Sequence, residues 1–156
     1  MLTPRNTTVR PAEPDDIAAI SALISYYAEL GNLLPRSKSQ ITQNLEYFIV
    51  AEIDRNIVGC ASFELFTPDL GEIRSLMVSA DYQRLGIASN LLNTLIDRAR
   101  SMSVKRVMAL TYVPELFHKH TFHTVDKSVF PEKVWGICVN CYKFHNCDEI
   151  AVLLEL

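Results

Sequence analysis

The chain has 156 residues, with 15 Lys and Arg against 18 Asp and Glu for a net charge of −3, and is 49 % apolar and 21 % charged. That length suits one domain over 1–156 with a sizeable core, and the mildly acidic balance, lacking a basic stripe interleaved with aromatics, argues against a nucleic-acid partner. No apolar run approaches the roughly 20 residues of a membrane span, and Met1 to Thr8 hold no basic stretch leading into an apolar one, so no membrane association and a cytoplasmic location are expected.

In chain order, Thr7 to Pro11 suits a short first strand. Glu13-Pro-Asp-Asp16 then supplies capping carboxylates for a helix over Ile17 to Leu30, with Ile17, Ile20, Ala22, Leu23, Ile24 and Tyr27 as core positions and Gly31-Asn32 as its stop. Ser37 caps a second short helix over Lys38 to Leu45. Tyr47 to Ile53 and Ile57 to Phe66, rich in β-branched and aromatic residues, form a hairpin about Asp54-Arg-Asn-Ile57.

Thr67-Pro-Asp-Leu-Gly71 turns the chain back into a strand, Glu72-Ile-Arg-Ser-Leu-Met-Val78. Its alternation puts Ile73, Ser75 and Met77 on one face, with Glu72, Arg74, Leu76 and Val78 on the other. From Gly86 onward Ile87, Leu91, Leu92, Leu95, Ile96 and Ala99 recur at helical spacing. Lys105 to Thr111 is a further strand, Pro114 to Lys119 a short helix, Phe122 to Val125 a short strand and Ile150 to Leu156 a final one. This order predicts an α+β fold, a mixed central sheet flanked by helices.

Gly86 sits at the entrance of the long helix. A helix start leaves about four N–H groups without intrahelical partners and carries partial positive charge, so the backbone of Arg84, Leu85, Gly86, Ile87, Ala88 and Ser89 can donate to a diphosphate. The small Gly86 and Ala88 let such a ligand approach. Neither the Gly-x-Gly-x-x-Gly dinucleotide fingerprint nor the Gly-x4-Gly-Lys-Ser/Thr nucleotide loop is present.

Gln83, Gly86 and Ala88 fill the pattern Gln/Arg-x-x-Gly-x-Gly/Ala, which resembles the acetyl-coenzyme A signature of the GCN5-related N-acetyltransferase superfamily. The element order resembles that superfamily's fold over nearly the full length. The resemblance implies acetyl-coenzyme A as the acetyl donor. It also implies that the Met77 and Val78 backbone faces the pantetheine arm and that Phe117 packs on it.

Amide formation from a thioester needs a base for the incoming ammonium and an acid for the leaving thiolate. Glu72, where the superfamily frequently places a catalytic glutamate, is the expected base; burial would raise its pKa toward that task. Tyr112, directly after the Lys105 strand, is the expected acid. Each also has a structural alternative, a solvent-facing carboxylate at a strand end and a rim or core aromatic. Cys60 is expected to be a small buried residue, with direct transfer rather than an acetyl-cysteine intermediate.

Leu34-Pro-Arg-Ser37, Gly71 to Ser75, Arg106 to Tyr112 and Val125 to Lys133 resemble the acetyltransferase domain of N-acetylglutamate synthases, particularly the short single-domain forms. That resemblance implies acetylation of the glutamate α-amine, the first step of arginine synthesis. Arg36, Arg74 and Lys133 are then the cations for a dicarboxylate acceptor, since a guanidinium pairs with a carboxylate through two hydrogen bonds. Other acceptors stay open, namely another amino acid, a polyamine or a protein N-terminus, as does a non-catalytic acetyl-coenzyme A sensor. A homodimer stays open as well.

Cys138, Cys141, His145 and Cys147 place four soft donors within ten residues. These could enclose a tetrahedral zinc, but the second paired-cysteine arm is missing, which favours reduced thiols or a redox-labile pair.

Overall fold

The computed structural model describes residues 6–31, 36–126 and 149–156. Among the described residues seven strands form one mixed sheet, in the spatial order β1 (Thr7–Pro11), β2 (Phe48–Ile53), β3 (Asn56–Thr67), β4 (Leu70–Val78), β5 (Arg106–Thr111), β7 (Ile150–Glu155) and β6 (His123–Val125). Two compact units divide the chain: the first draws on Met1–Phe63 and Ile73–Arg98, the second on Glu64–Glu72 and Ala99–Leu156.

In the first unit, β1 (Thr7–Pro11) runs antiparallel to β2 (Phe48–Ile53), Thr7 opposite Ile53 and Pro11 opposite Ile49. β2 turns into β3 (Asn56–Thr67) through Asp54 and Arg55, at φ 50° and 67°. Two consecutive left-handed residues make the mirror-image turn whose twist matches that of paired strands.

Helix α1 (Ile17–Glu29) follows a turn of 3₁₀ helix, Pro14–Asp16, closed by a capping box between Glu13 and Asp16. Ile20 and Ile24 are buried, with Ile17, Leu23 and Tyr27 packed at their margin. Ala22, expected in the core, is exposed instead. It lies two residues from Ile20, a rotation of about 200° around the helix, and so on the opposite face. The helix closes at Gly31, φ 77°.

Ser37 caps α2 (Lys38–Gln43), accepting from the Gln40 N–H at 3.1 Å while the Gln40 side chain accepts from the Ser37 N–H. The helix stops two residues before Leu45, because Asn44 Nδ2 turns back to the Gln40 carbonyl (2.8 Å) and a 3₁₀ turn, Leu45–Tyr47, begins. Ile20, Ile24, Ile41, Phe48, Val50, Cys60 and Met77 make this unit's core cluster.

Helix α3 (Ile87–Ser101) buries Ile87, Leu91, Leu92, Leu95, Ile96 and Ala99, the whole stripe expected from its period. Each large side chain so buried contributes about 1.5–3 kcal/mol.

β4 (Leu70–Val78) departs from simple alternation. Ser75 has φ 53°, and adjacent residues are buried both before it, Glu72 and Ile73, and after it, Met77 and Val78. One left-handed residue interrupts the extended backbone of the strand at that point.

In the second unit Leu70, Gly71 and Glu72 pair in parallel with Arg106, Val107 and Met108 of β5 (Arg106–Thr111). Antiparallel to β5 lies β7 (Ile150–Glu155), Arg106 opposite Glu155, and β6 (His123–Val125) pairs with β7. Leu70, Met108, Ala151 and Leu153 form its core cluster, joined by Phe66, Leu110 and Val125. The short α4 (Pro114–His118) starts with proline, whose missing N–H costs nothing there.

Candidate active site

In the first unit, β4 ends at Val78 and the Ser79 N–H still reaches the Val58 carbonyl of β3 (2.7 Å). A 3₁₀ turn, Ala80–Tyr82, then leads to Gln83. Arg84 (φ 63°) and Gly86 (φ 81°) are both left-handed, an inexpensive conformation for glycine alone. The Asn90 N–H closes the first turn of α3 on the Gly86 carbonyl at 3.1 Å. The N–H groups of Ile87, Ala88 and Ser89 thus precede the first such bond, at the positive end of a fifteen-residue helix. A short loop with small residues opening a long helix has the chemistry to hold a phosphate.

Gln83 does not extend along that loop. Its Nε2 donates to the Val78 carbonyl (2.6 Å) and to the Tyr27 hydroxyl (2.9 Å), and the same hydroxyl donates to the Val78 carbonyl at 2.5 Å. The Met77 side chain lies in the core cluster.

Arg36 is buried, its guanidinium 5.1 Å from the centre of the Phe48 ring and 3.3 Å from Ser75 Oγ, with Ser62 Oγ at 3.5 Å. Ser62 in turn donates to the Arg74 carbonyl (3.2 Å), and the Arg74 side chain is half-buried. Beside them Cys60 is fully buried, its Sγ 3.4 Å from the Ser75 carbonyl. Burial pushes that thiol up to about 12, and the nearby Arg36 charge offsets only part of the rise.

In the second unit Glu72 is 2 % exposed, opposite Met108 in the parallel ladder. Tyr112 directly follows β5, half-buried, four residues beyond Met108. At about 3.3 Å per residue, its backbone lies roughly 13 Å farther along the strand than Glu72. Phe117 is buried edge-to-face against Phe122, ring centres 5.2 Å apart. His118 Nε2 pairs with Thr124 Oγ1 (2.9 Å), and burial holds His120 below the usual imidazole range, helped by the charge of Lys119.

Lys133, Cys138, Cys141, His145 and Cys147 lie outside the described residues. Among the described residues no group of three or more His, Cys, Asp or Glu could hold a metal ion, and no helix is long and apolar enough to cross a membrane. Sequence reasoning missed the partners Ser62 and Ser75 of Arg36 and the role of the Tyr27 hydroxyl. Tyr27 fits the α1 core stripe by period, but nothing local points its hydroxyl to a strand end 51 residues away.

The chain belongs to the acetyltransferase (GNAT) family, whose model matches residues 17–123. An uncharacterized N-acetyltransferase of Chlorobaculum tepidum is 34 % identical over 155 residues, covering 97 % of both chains. An amino-acid acetyltransferase of Neisseria meningitidis is 37 % identical over 127 residues, 80 % of this chain and 29 % of that protein. The structure of N-acetylglutamate synthase from Neisseria gonorrhoeae complexed with coenzyme A and N-acetyl-glutamate superposes with a TM-score of 0.86 at 32 % identity. It is matched over 96 % of this chain and 35 % of its own, so the chain spans about a third of these Neisseria proteins. The protein is an acetyltransferase of the GNAT type, with that family's mixed sheet and helices.

Proposed function

We propose that this acetyltransferase moves the acetyl group of acetyl-coenzyme A directly to the α-amine of L-glutamate. The observation that carries the reading is the likeness, over 96 % of this chain, to a synthase holding coenzyme A and N-acetyl-glutamate. The donor's diphosphate binds the N–H groups from Arg84 to Ser89, where Gly86 and Ala88 leave room. Its pantetheine arm runs beside Met77 and Val78.

Glu72 takes a proton from the glutamate ammonium, and the neutral nitrogen attacks the thioester carbonyl. The carbon–nitrogen bond forms, the carbon–sulfur bond breaks, and the leaving thiolate takes its proton from Tyr112. The roughly 13 Å offset between the two residues along the parallel ladder leaves room for the reacting groups between them. The acceptor's carboxylates pair with Arg36, Arg74 and Lys133; the Ser62 and Ser75 hydroxyls accept from Arg36 Nη1 and help to orient a guanidinium, a group suited to two-point carboxylate recognition. The product serves arginine biosynthesis in the cytoplasm.

The deciding experiment is a steady-state acceptor panel of the common amino acids, a polyamine and peptides with free N-termini, with acetyl-coenzyme A as donor. Glutamate gives the highest kcat/KM. A higher value for another amine overturns the glutamate assignment, and no turnover with any acceptor overturns the enzymatic reading.

A further inference from the structure

We infer that Tyr27 of α1 is a positioning residue for acetyl-donor binding, acting through Gln83 and the Val78 carbonyl rather than by touching the donor. The inference rests on the donor-binding reading of the loop that opens α3.

Three groups form a closed triangle. The Tyr27 hydroxyl proton goes to the Val78 carbonyl, and Gln83 Nε2 lies within hydrogen-bond distance of both the hydroxyl oxygen and that carbonyl. The two oxygens stand only 2.5 Å apart, so one Gln83 N–H lies between them and is shared, while the phenol gives its single proton to the carbonyl. Two side chains, one from α1 and one from the loop, thus meet at the carbonyl of the last residue of β4 and hold it. Ser79, the next residue, is tied to Val58 by its own N–H.

The loop from Gln83 to Gly86 starts from that pinned point and must hold two left-handed residues, Arg84 and Gly86. Arg84 is not glycine, and a side-chain-bearing residue there costs on the order of 1 kcal/mol of strain. Such a loop keeps its donor N–H groups aimed only when both of its ends are fixed. Helix α3 fixes one end, through the Asn90 bond to Gly86 and its six buried side chains. Tyr27 and Gln83 fix the other. The ring of Tyr27 packs at the margin of the Ile20 and Ile24 core, edge-to-face with Tyr26 at 5.0 Å, and presents the hydroxyl from there. Gln83, the leading residue of the sequence pattern, therefore serves the loop with its side chain from behind.

Tyr27→Phe keeps the ring and removes the hydroxyl, and Gln83→Met keeps length and removes both donors. Coenzyme A affinity by calorimetry, KM for donor and acceptor, and melting temperature are read for both variants and the double variant. Each single change weakens coenzyme A binding and raises the donor KM about 3- to 15-fold, the loss of a hydrogen bond, with acceptor KM, kcat and melting temperature near wild type. The double variant is no weaker than the worse single one, because both changes break the same triangle. Wild-type affinity in Tyr27→Phe, additive losses, or a loss matched by a fall in melting temperature overturns the positioning role. Wild-type protein that fails to bind coenzyme A overturns the donor-binding reading itself.

Discussion

A Cβ added to Gly59 would stand 3.0 Å from the Met77 carbonyl oxygen and 3.2 Å from Leu91 Cδ1. β3 therefore approaches the end of β4 and the α3 side chains as closely as it does because residue 59 has no side chain. Gly59→Ala pushes against backbone, which cannot swing aside as a side-chain tip can. It lowers stability by about 1–3 kcal/mol, the usual cost of overpacking. Urea unfolding measures the loss, and an unchanged midpoint refutes the close approach.

The Glu72→Gln variant separates chemistry from donor binding. With Glu72 as the base, kcat falls about 10²- to 10⁴-fold while coenzyme A affinity by calorimetry stays at the wild-type value. Retained turnover removes Glu72 from the mechanism. Tyr112→Phe lowers kcat by the same logic, and the loss shrinks with a thioester whose thiol leaves more readily.

Asp16 links acid stability to the start of α1. Hydrogen bonds from Arg10 (2.8 and 3.0 Å) hold its carboxyl below the usual carboxylate range against the opposing effect of burial, and the Glu13 N–H adds a third bond at 2.7 Å. A folded-state pKa below the unfolded one gives stability that is present above the unfolded value and is lost as pH falls through the folded value. Asp16→Asn costs about 1–2 kcal/mol at pH 7, the range for a helix cap joined to a partly exposed ion pair. The difference from wild type narrows when unfolding is repeated at progressively lower pH; a constant difference contradicts the assignment.

Cys60 has the opposite sign. Its folded pKa of about 12 lies above the unfolded value near 9, so the protonated, buried thiol contributes stability below pH 9 that fades as pH rises toward 12. In a Cys138→Ser, Cys141→Ser, Cys147→Ser background, iodoacetamide at pH 8.5 leaves the native protein unlabelled by mass spectrometry and labels it fully in urea. Labelling of the folded protein would show an accessible thiolate. Cys60→Ala leaves kcat unchanged, as direct transfer requires.

Patterns confined to one element proved legible. The α3 stripe from Ile87 to Ala99 is set by periodicity alone, because a helix can bury only one face and the apolar residues choose it. The Ser37 cap with Gln40 and the Asp54-Arg55 turn are equally local, each depending on side-chain or backbone chemistry within four residues. The family resemblance carried by Gln83, Gly86 and Ala88 was readable for the same reason: it resides in one loop.

By itself, then, the sequence determined the elements, the acetyltransferase family and the phosphate-suited opening of α3. Tertiary structure alone decided that Ala22 faces outward, against the core position expected for it on an almost wholly apolar helix. It also decided that Ser75 takes a left-handed backbone within β4, that Arg36 is buried against Phe48 beside Ser62 and Ser75, and that Tyr27 and Gln83 share the Val78 carbonyl. Each of these depends on groups tens of residues apart. Their meeting is set by how a whole set of apolar faces closes together, a sum over long-range contacts that no local window contains.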